Sequence, residues 1–434
     1  MFAVQGLARR IVVAATLAVS LAAPAVARAV PAPFAGGEIP AGFADLPPGT
    51  VIASRTGAAS VFGMRTPIRM VQLRYRSEDQ LGRPVPNVTS ILLPPVPRRA
   101  QEVVAYQSFY DSLDPADSPS RALVGGTTLG GLIPSIEHAF LLDELSRGRT
   151  VVVTDTEGER ADLIAAPEYG KHTLNGLRAA LSSPLTGLGG GARIALLGYS
   201  GGALATEWAA ELAPSYAPDV DARLVGAAMG GVLVEPLRNL QYTSGSAVWS
   251  VVLGLAIVGL DRSFDVDVRP ALNAYGRRVF RDLEHASIAG AIGRFPNLTW
   301  RQIARPEYPT IESVPGFLDA AHALRMGRGA RPSAPLFIAQ GTRGGLEGTR
   351  GDRPGVGAGD GIAIAGDVRT LARGYCARGL SITYRQYAAS HVGAMVPWMP
   401  AASRWIGQRF RGAATPDDCA RIPAGNDLDP SPSN

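Results

Sequence analysis

Lysine is almost missing from this 434-residue chain: of 42 basic residues only Lys171 is a lysine, and the other 41 are arginine. Schiff-base chemistry on lysine therefore has one possible site. Cysteine and histidine are also scarce, with 2 and 5 residues. That leaves little material for a Cys/His metal centre, and neither a metal nor another cofactor is implied. Charged residues make up only 18% of the chain and hydrophobic residues 46%, so general disorder is excluded and a sizeable core is available. The length fits one large domain with an insertion, or two domains. No Lys/Arg stripe interleaved with aromatics occurs, so nucleic-acid binding is not expected.

The N-terminus has the layout of a cleavable export signal. Arg9 and Arg10 precede the apolar run Ile11–Ala23, and Ala27-Arg28-Ala29 supplies a small-x-small cleavage site. Pro24 closes the run before the roughly 20 apolar residues that a membrane span needs. Removing residues 1–29 deletes three arginines and no acid, taking the net charge from +5 to +2. The predicted mature chain is thus secreted and has no transmembrane segment. In an oxidising compartment the pair Cys376 and Cys419 is expected to form a disulfide. It would enclose His391 and restrict the wandering of its loop.

Residues 30–68, rich in Pro and Gly, read as an extended arm. Val71–Tyr75 and Val88–Leu93 read as a hairpin around a Gly-Arg-Pro turn. After them come short apolar strands separated by helical stretches, the pattern of a mostly parallel sheet with helices on both faces. The predicted strands are Glu102–Tyr106, Thr150–Thr154, Arg193–Leu197, Leu224–Ala228, Pro335–Ala339 and Leu380–Arg385. About a hundred residues between the fourth and fifth of these lack a core strand and have helical spacing, notably Val248–Leu260 and Pro315–Arg325. An excursion of this kind predicts a cap over the carboxyl end of the sheet. The expected division is a signal at 1–29, core at 30–232, helical cap at 233–332, and core with C-terminal tail at 333–434. Val248–Leu260 is too short to cross a bilayer and reads as a buried cap helix, with transient contact of the cap with a lipid interface as the alternative. Residues 343–358 read as a loop.

The sharpest motif is Gly198-Tyr199-Ser200-Gly201-Gly202, which follows the predicted strand Arg193–Leu197 and precedes the helical stretch Ala203–Leu212. That is the context in which G-x-S-x-G presents a nucleophilic serine at a sharp strand-to-helix turn. A serine needs a base, and on such a sheet the order is serine, acid, histidine. His138 and His172 precede Ser200, while His285 and His322 fall in the cap. Only His391 follows the last strand, where an imidazole can reach the hydroxyl. The acid should follow strand Pro335–Ala339, where Glu347, Asp352, Asp360 and Asp367 are available. Asp367 opens the helical stretch Val368–Ala377 and suits an N-terminal cap, whereas Asp360, in Gly359-Asp360-Gly361, begins a short connection back to the sheet.

Three segments carry a family resemblance: Tyr106-Gln107-Ser108-Phe109-Tyr110-Asp111-Ser112, Val151-Val152-Val153-Thr154-Asp155-Thr156-Glu157-Gly158, and Gly198-Tyr199-Ser200-Gly201-Gly202-Ala203 with the later Pro214-Ser215-Tyr216-Ala217-Pro218. Together they resemble the secretory lipases, the group of Candida-type secreted lipases and their actinobacterial relatives. The resemblance implies an α/β-hydrolase with a helical cap, acting on carboxylic esters and often on acylglycerols. It implies Ser200 as nucleophile and His391 as base. The family's acid stands seven residues before another Asp that opens a helix, a spacing kept by Asp360 and Asp367. The family's oxyanion donors correspond to the backbone N–H groups of Asp111 and Gly201. Three departures are visible: a family cysteine is absent near Asp117, Ile364 replaces a usual proline, and the 343–358 segment is inserted before the acid.

The function implied is a secreted serine ester hydrolase, a triacylglycerol lipase in preference to a short-chain carboxylesterase or an acyltransferase. A noncatalytic binding protein keeping the fold is the rival of another class.

Overall fold

The computed structural model describes residues 34, 39–97, 101–352 and 355–428, so the predicted signal at 1–29 lies outside the described residues. Nine strands form one sheet: β1 Val51–Val61, β2 Met64–Glu78, β3 Pro84–Leu93, β4 Glu102–Gln107, β5 Thr150–Thr154, β6 Arg193–Tyr199, β7 Leu224–Gly230, β8 Leu336–Gly341 and β9 Ile382–Tyr387. Their order is β1-β2-β3-β5-β4-β6-β7-β8-β9. The pairings from β5 to β9 are all parallel, while β1, β2 and β3 join by antiparallel ladders.

Side chains alternate across a strand with period two, and here both faces are covered. On β4, Val103 and Ala105 enter one core cluster, Val104 and Tyr106 the other. On β6, Ile194 and Leu196 are divided in the same way from Ala195 and Leu197. This is why these strands read as continuous apolar runs and not as alternating ones. Four helices supply most of the cover: α1 Leu132–Ser146, α2 Ala166–Ser182, α3 Gly201–Tyr216 and, at the C-terminal end, α9 His391–Phe410. Leu174 of α2 and Trp208 of α3 lie in the first cluster; Leu141 of α1 and Trp398, Trp405 and Ile406 of α9 lie in the second.

Between β7 and β8 the chain forms α4 Pro236–Thr243, α5 Val251–Ser263, α6 Ala274–Leu283 and α7 Phe317–Ala323, with single turns between them such as Ile288–Ala291. No named strand interrupts this stretch among the described residues. Its two ends meet, with the Met326 N–H donating to the Val234 carbonyl at 3.0 Å. Leu253, Ile257, Phe280 and Leu298 belong to the same cluster as α2 and α3, so the excursion shares the core of the sheet. No described helix is long and apolar enough to cross a membrane.

The expected arm at 30–68 needs correction. Much of it is β1 and the start of β2, with β1 pairing along β2 from Val51↔Tyr75 to Val61↔Met64. Its small, polar composition hid an edge strand, which has one neighbour and needs no continuous apolar run. Asp367 is also not an N-terminal cap: it stands inside α8 Ala365–Ala377, whose capping position is Ile364. The Asp367 carboxylate instead pairs with Arg238 of the excursion at 3.0 and 3.1 Å. Cys376 and Cys419 form a disulfide with Cα atoms 5.7 Å apart, tying the end of α8 to the C-terminal tail.

Candidate active site

Ser200 sits between β6 and α3 with φ 53° and ψ −122°, a positive-φ conformation that a non-glycine residue adopts only under constraint from the turn. Its N–H donates to the Gly230 carbonyl of β7 at 2.9 Å, which holds the turn at the carboxyl end of the sheet. The flanking glycines are steric necessities. A Cβ on Gly198 would lie 2.1 Å from the Gly202 carbonyl oxygen, and one on Gly202 would lie 2.0 Å from the Gln107 carbonyl oxygen. Only a chain bare at both positions lets the helix start so close to β4 and β6.

The other two residues arrive from the loops after β8 and β9. His391 is the first residue of α9, placed by Ser390, whose hydroxyl accepts the Gly393 N–H at 3.3 Å. Its Nε2 lies 2.8 Å from Ser200 Oγ, and its Nδ1 lies 2.8 Å from Asp360 Oδ2. Asp360 is fully buried and its remaining lone pairs are used. Oδ1 accepts the N–H groups of Ile362 and Ala363 at 3.0 and 2.8 Å, and Oδ2 also accepts from Gln340 Nε2 at 2.7 Å. The His391 N–H donates to the Asp360 carbonyl at 2.7 Å, which locks the two loops together. The structure therefore brings the three predicted residues into one hydrogen-bonded line. Of the other acid candidates, Asp367 is held by Arg238, and Glu347 bonds the Val392 N–H without touching the imidazole.

Burial acts to lower the pKa of His391, but Asp360, Glu347 and Asp111 outweigh it and the net shift is upward. His138 and His172 behave in the opposite way: burial pulls them down to about 3 and about 4. Both are neutral core side chains.

Asp111 follows β4 with φ 39°. A carboxylate oxygen lies so close to Gly201 that a Cβ there would be 1.8 Å from it. Asp111 therefore flanks the nucleophile turn. Burial raises its carboxyl to about 6, opposed by His391. The Gly201 N–H, at the first position of α3, is among those that a helix start leaves without an internal acceptor.

Ser200, His391, Asp111 and Gly201 line a cavity of about 230 Å³. Its walls are mostly apolar: Phe109, Ile133 and Leu204 from the core, Leu233 and Trp249 from the excursion, Val252, Leu255 and Ala256 from α5, and Ile288 and Ile292 from the turn after α6. Part of the apolar run Val248–Leu260 thus walls the site. A larger groove of about 630 Å³, lined by residues including Leu240, Trp300 and Ile311, contains none of the reactive groups. The sequence singles out neither Trp249 nor Gln340 as a site residue. A polar residue ending a buried strand was the available signal for Gln340, whereas nothing local distinguishes Trp249.

The family model described as secretory lipase matches residues 125–347, which is 223 of the 434 residues. Lipase 5 of Candida albicans is 27% identical over 402 residues, covering 88% of this chain and 81% of its own length. A Mycobacterium tuberculosis protein named probable inactive lipase MT1628 is 29% identical over 392 residues, covering 88% and 83%. Among solved structures, Candida antarctica lipase A shares the fold with a TM-score of 0.74 at 23% identity, over 91% of this chain and 89% of that one. With more than half of its residues matched by that model and its sheet laid out as an α/β-hydrolase, the chain belongs to the secretory lipase family.

Proposed function

We propose that this ester hydrolase is a secreted lipase that cleaves fatty-acyl esters, acylglycerols being the natural class, through Ser200, His391 and Asp360. The observation that carries the proposal is the unbroken line from Asp360 to His391 to Ser200, with both links at 2.8 Å, at the wall of an apolar cavity. Ser200 Oγ attacks the ester carbonyl while its proton passes to His391 Nε2. The developing oxyanion is received by the N–H groups of Asp111 and Gly201. When the tetrahedral intermediate collapses, the C–O bond breaks and the alcohol leaves with the proton from Nε2. Water then repeats the sequence on the acyl-enzyme, returning Ser200. Asp360 holds the imidazole with Nδ1 protonated and stabilises the imidazolium.

Residues 233–332 act as the cap, since Trp249, α5 and the Ile288–Ala291 turn wall the cavity. A hydrocarbon chain gains about 0.8 kcal/mol for each methylene buried there, which favours acyl chains over acetyl groups. Export through residues 1–29 agrees with the Cys376–Cys419 disulfide.

Because one relative carries the name probable inactive lipase, catalysis needs a direct test. The mature chain should hydrolyse p-nitrophenyl acyl esters and be labelled by a fluorophosphonate, and Ser200→Ala should abolish both. Hydrolysis by Ser200→Ala at the wild-type rate would sink the proposal. A rate that falls steadily above four acyl carbons would identify a short-chain esterase. Acyl transfer would show as ester formation when an acceptor alcohol is supplied.

A further inference from the structure

The loop after β8 makes contacts that the proposed chemistry does not use. Glu347 ends the single turn Gly344–Glu347 of that loop and is half-buried. Its Oε2 accepts the indole N–H of Trp249 at 2.8 Å, and its Oε1 accepts the backbone N–H of Val392 at 3.1 Å. Val392 is the residue after His391, in the first turn of α9, where the N–H groups have no acceptor inside the helix. Trp249, the other partner, stands edge-on to the His391 imidazole with ring centroids 5.7 Å apart.

The next two residues extend this seam. The Gly348 carbonyl accepts the Ala247 N–H at 3.5 Å. The Thr349 hydroxyl donates to the Gly361 carbonyl at 2.8 Å, so Ser246 Oγ, also 2.8 Å away, is the donor to Thr349. Gly361 directly follows Asp360. Residues 347–349 therefore touch residues 246–249 of the excursion and, at the same time, the immediate neighbours of both Asp360 and His391.

We infer that Glu347 is a positioning residue for His391, and that through Trp249 it ties the placement of the imidazole to the seating of the excursion. The inference rests on the serine-hydrolase function proposed above. A helix start carries partial positive charge, which disfavours an imidazolium on its first residue. A carboxylate bound to the Val392 N–H opposes that field and fixes the first turn. The groups facing the imidazole are Asp360 at Nδ1, Ser200 at Nε2, and Asp111 and Glu347 around it, with the Tyr199 and Trp249 rings packed beside it. Without the Trp249 indole, Glu347 loses one of its two fixed donors and can turn toward water. His391 is then less firmly oriented, so hydrolysis is fastest with this contact made. This assigns a role to the front of the 343–358 insertion.

The test uses the mature chain with Glu347→Gln, Glu347→Asp and Trp249→Phe, reading kcat and kcat/KM against pH with p-nitrophenyl esters and the Tm of each variant. Glu347→Gln should move the acidic limb of kcat/KM to lower pH and reduce plateau kcat by roughly 5- to 50-fold, from a misplaced charge-assisted hydrogen bond. Trp249→Phe keeps the charge, so its acidic limb should stay in place while plateau kcat falls. Combined with Glu347→Gln it should add little, because both act on one contact. Glu347→Asp should keep the wild-type limb, and it serves if Glu347→Gln proves too unstable. A Glu347→Gln profile superimposable on wild type, or a change in Tm alone, overturns the inference. Ser200→Ala is run alongside. If it is inactive while Glu347→Gln behaves as wild type, only the inference fails; if it hydrolyses ester, the function itself fails.

Discussion

Replacing Asp360 by asparagine separates an orienting carboxylate from a merely structural one. The side chain accepts four hydrogen bonds: from Ile362 N and Ala363 N on Oδ1, and from Gln340 Nε2 and His391 Nδ1 on Oδ2. Two backbone donors hold the amide oxygen at the Oδ1 place, which puts the amide NH2 where Oδ2 was. Gln340 can adapt by turning over, because its Oε1 is buried and unpartnered and would accept one of the new N–H groups. His391 can adapt only by presenting a bare Nδ1 to the other. Its proton then moves to Nε2, and Nε2–H faces Ser200 Oγ as a donor and cannot accept the serine proton. The fold survives with few lost hydrogen bonds, while the wrong tautomer costs about 10⁴ in kcat, or about 5.5 kcal/mol of barrier. Initial rates on a p-nitrophenyl ester, with Tm by differential scanning fluorimetry, measure both halves. A variant with unchanged Tm that keeps more than about a hundredth of wild-type kcat would refute the tautomer reasoning. Asp367→Asn is the matched control. It loosens the pairing with Arg238, so Tm should fall while kcat stays within about threefold.

Three further outcomes are expected. Glu137 is buried and pushed up to about 8, burial being the main cause, so the folded state holds a proton that the unfolded chain releases above its ordinary value of 4.5. Its stabilising contribution is complete below that value and is lost as pH rises through about 8, an effect of a few kcal/mol. Glu137→Gln can receive the Tyr106 and Phe109 donors and donate to Ser108, so its Tm should exceed wild type increasingly from pH 5 to 9; parallel curves would contradict this. Removing the disulfide with Cys376→Ser and Cys419→Ser opens a loop of 43 residues and should cost about 4 kcal/mol. This is read as a lower urea midpoint, with kcat retained because Asp360 and Ser390 still hold His391. Gly202→Ala drives a methyl group to 2.0 Å from the Gln107 carbonyl oxygen. It should cost at least about 3 kcal/mol or yield insoluble protein, and a soluble variant with wild-type Tm would be incompatible with the turn described.

The strands of the parallel sheet were legible because burial on both faces leaves a mark in the sequence itself, a short apolar run between helical stretches. The same signal failed at β1, where an edge strand of small and polar residues needs only one partner. Ser200 was legible as the candidate nucleophile because its motif is local: strand, turn, two bare glycines and helix lie within a few consecutive residues. His391 followed from scarcity, since only one of five histidines stands after the last strand. The acid could not be settled by local pattern. Glu347, Asp352, Asp360 and Asp367 all lie after β8, and which of them reaches an imidazole depends on how that loop closes.

The sheet type, and Ser200 and His391 as the candidates for nucleophile and base, were legible from sequence alone, because each depends on residues near one another in the chain or on elimination among very few. Tertiary structure decided what depends on distant segments meeting. It put Asp360 against His391, and Asp367 against Arg238. It brought Trp249 from the excursion to the imidazole and to Glu347. The physical reason is reach. A hydrogen bond is decided within about 3 Å, and Ser200 and His391 are 191 residues apart along the chain; only packing of the completed sheet brings such groups to that distance.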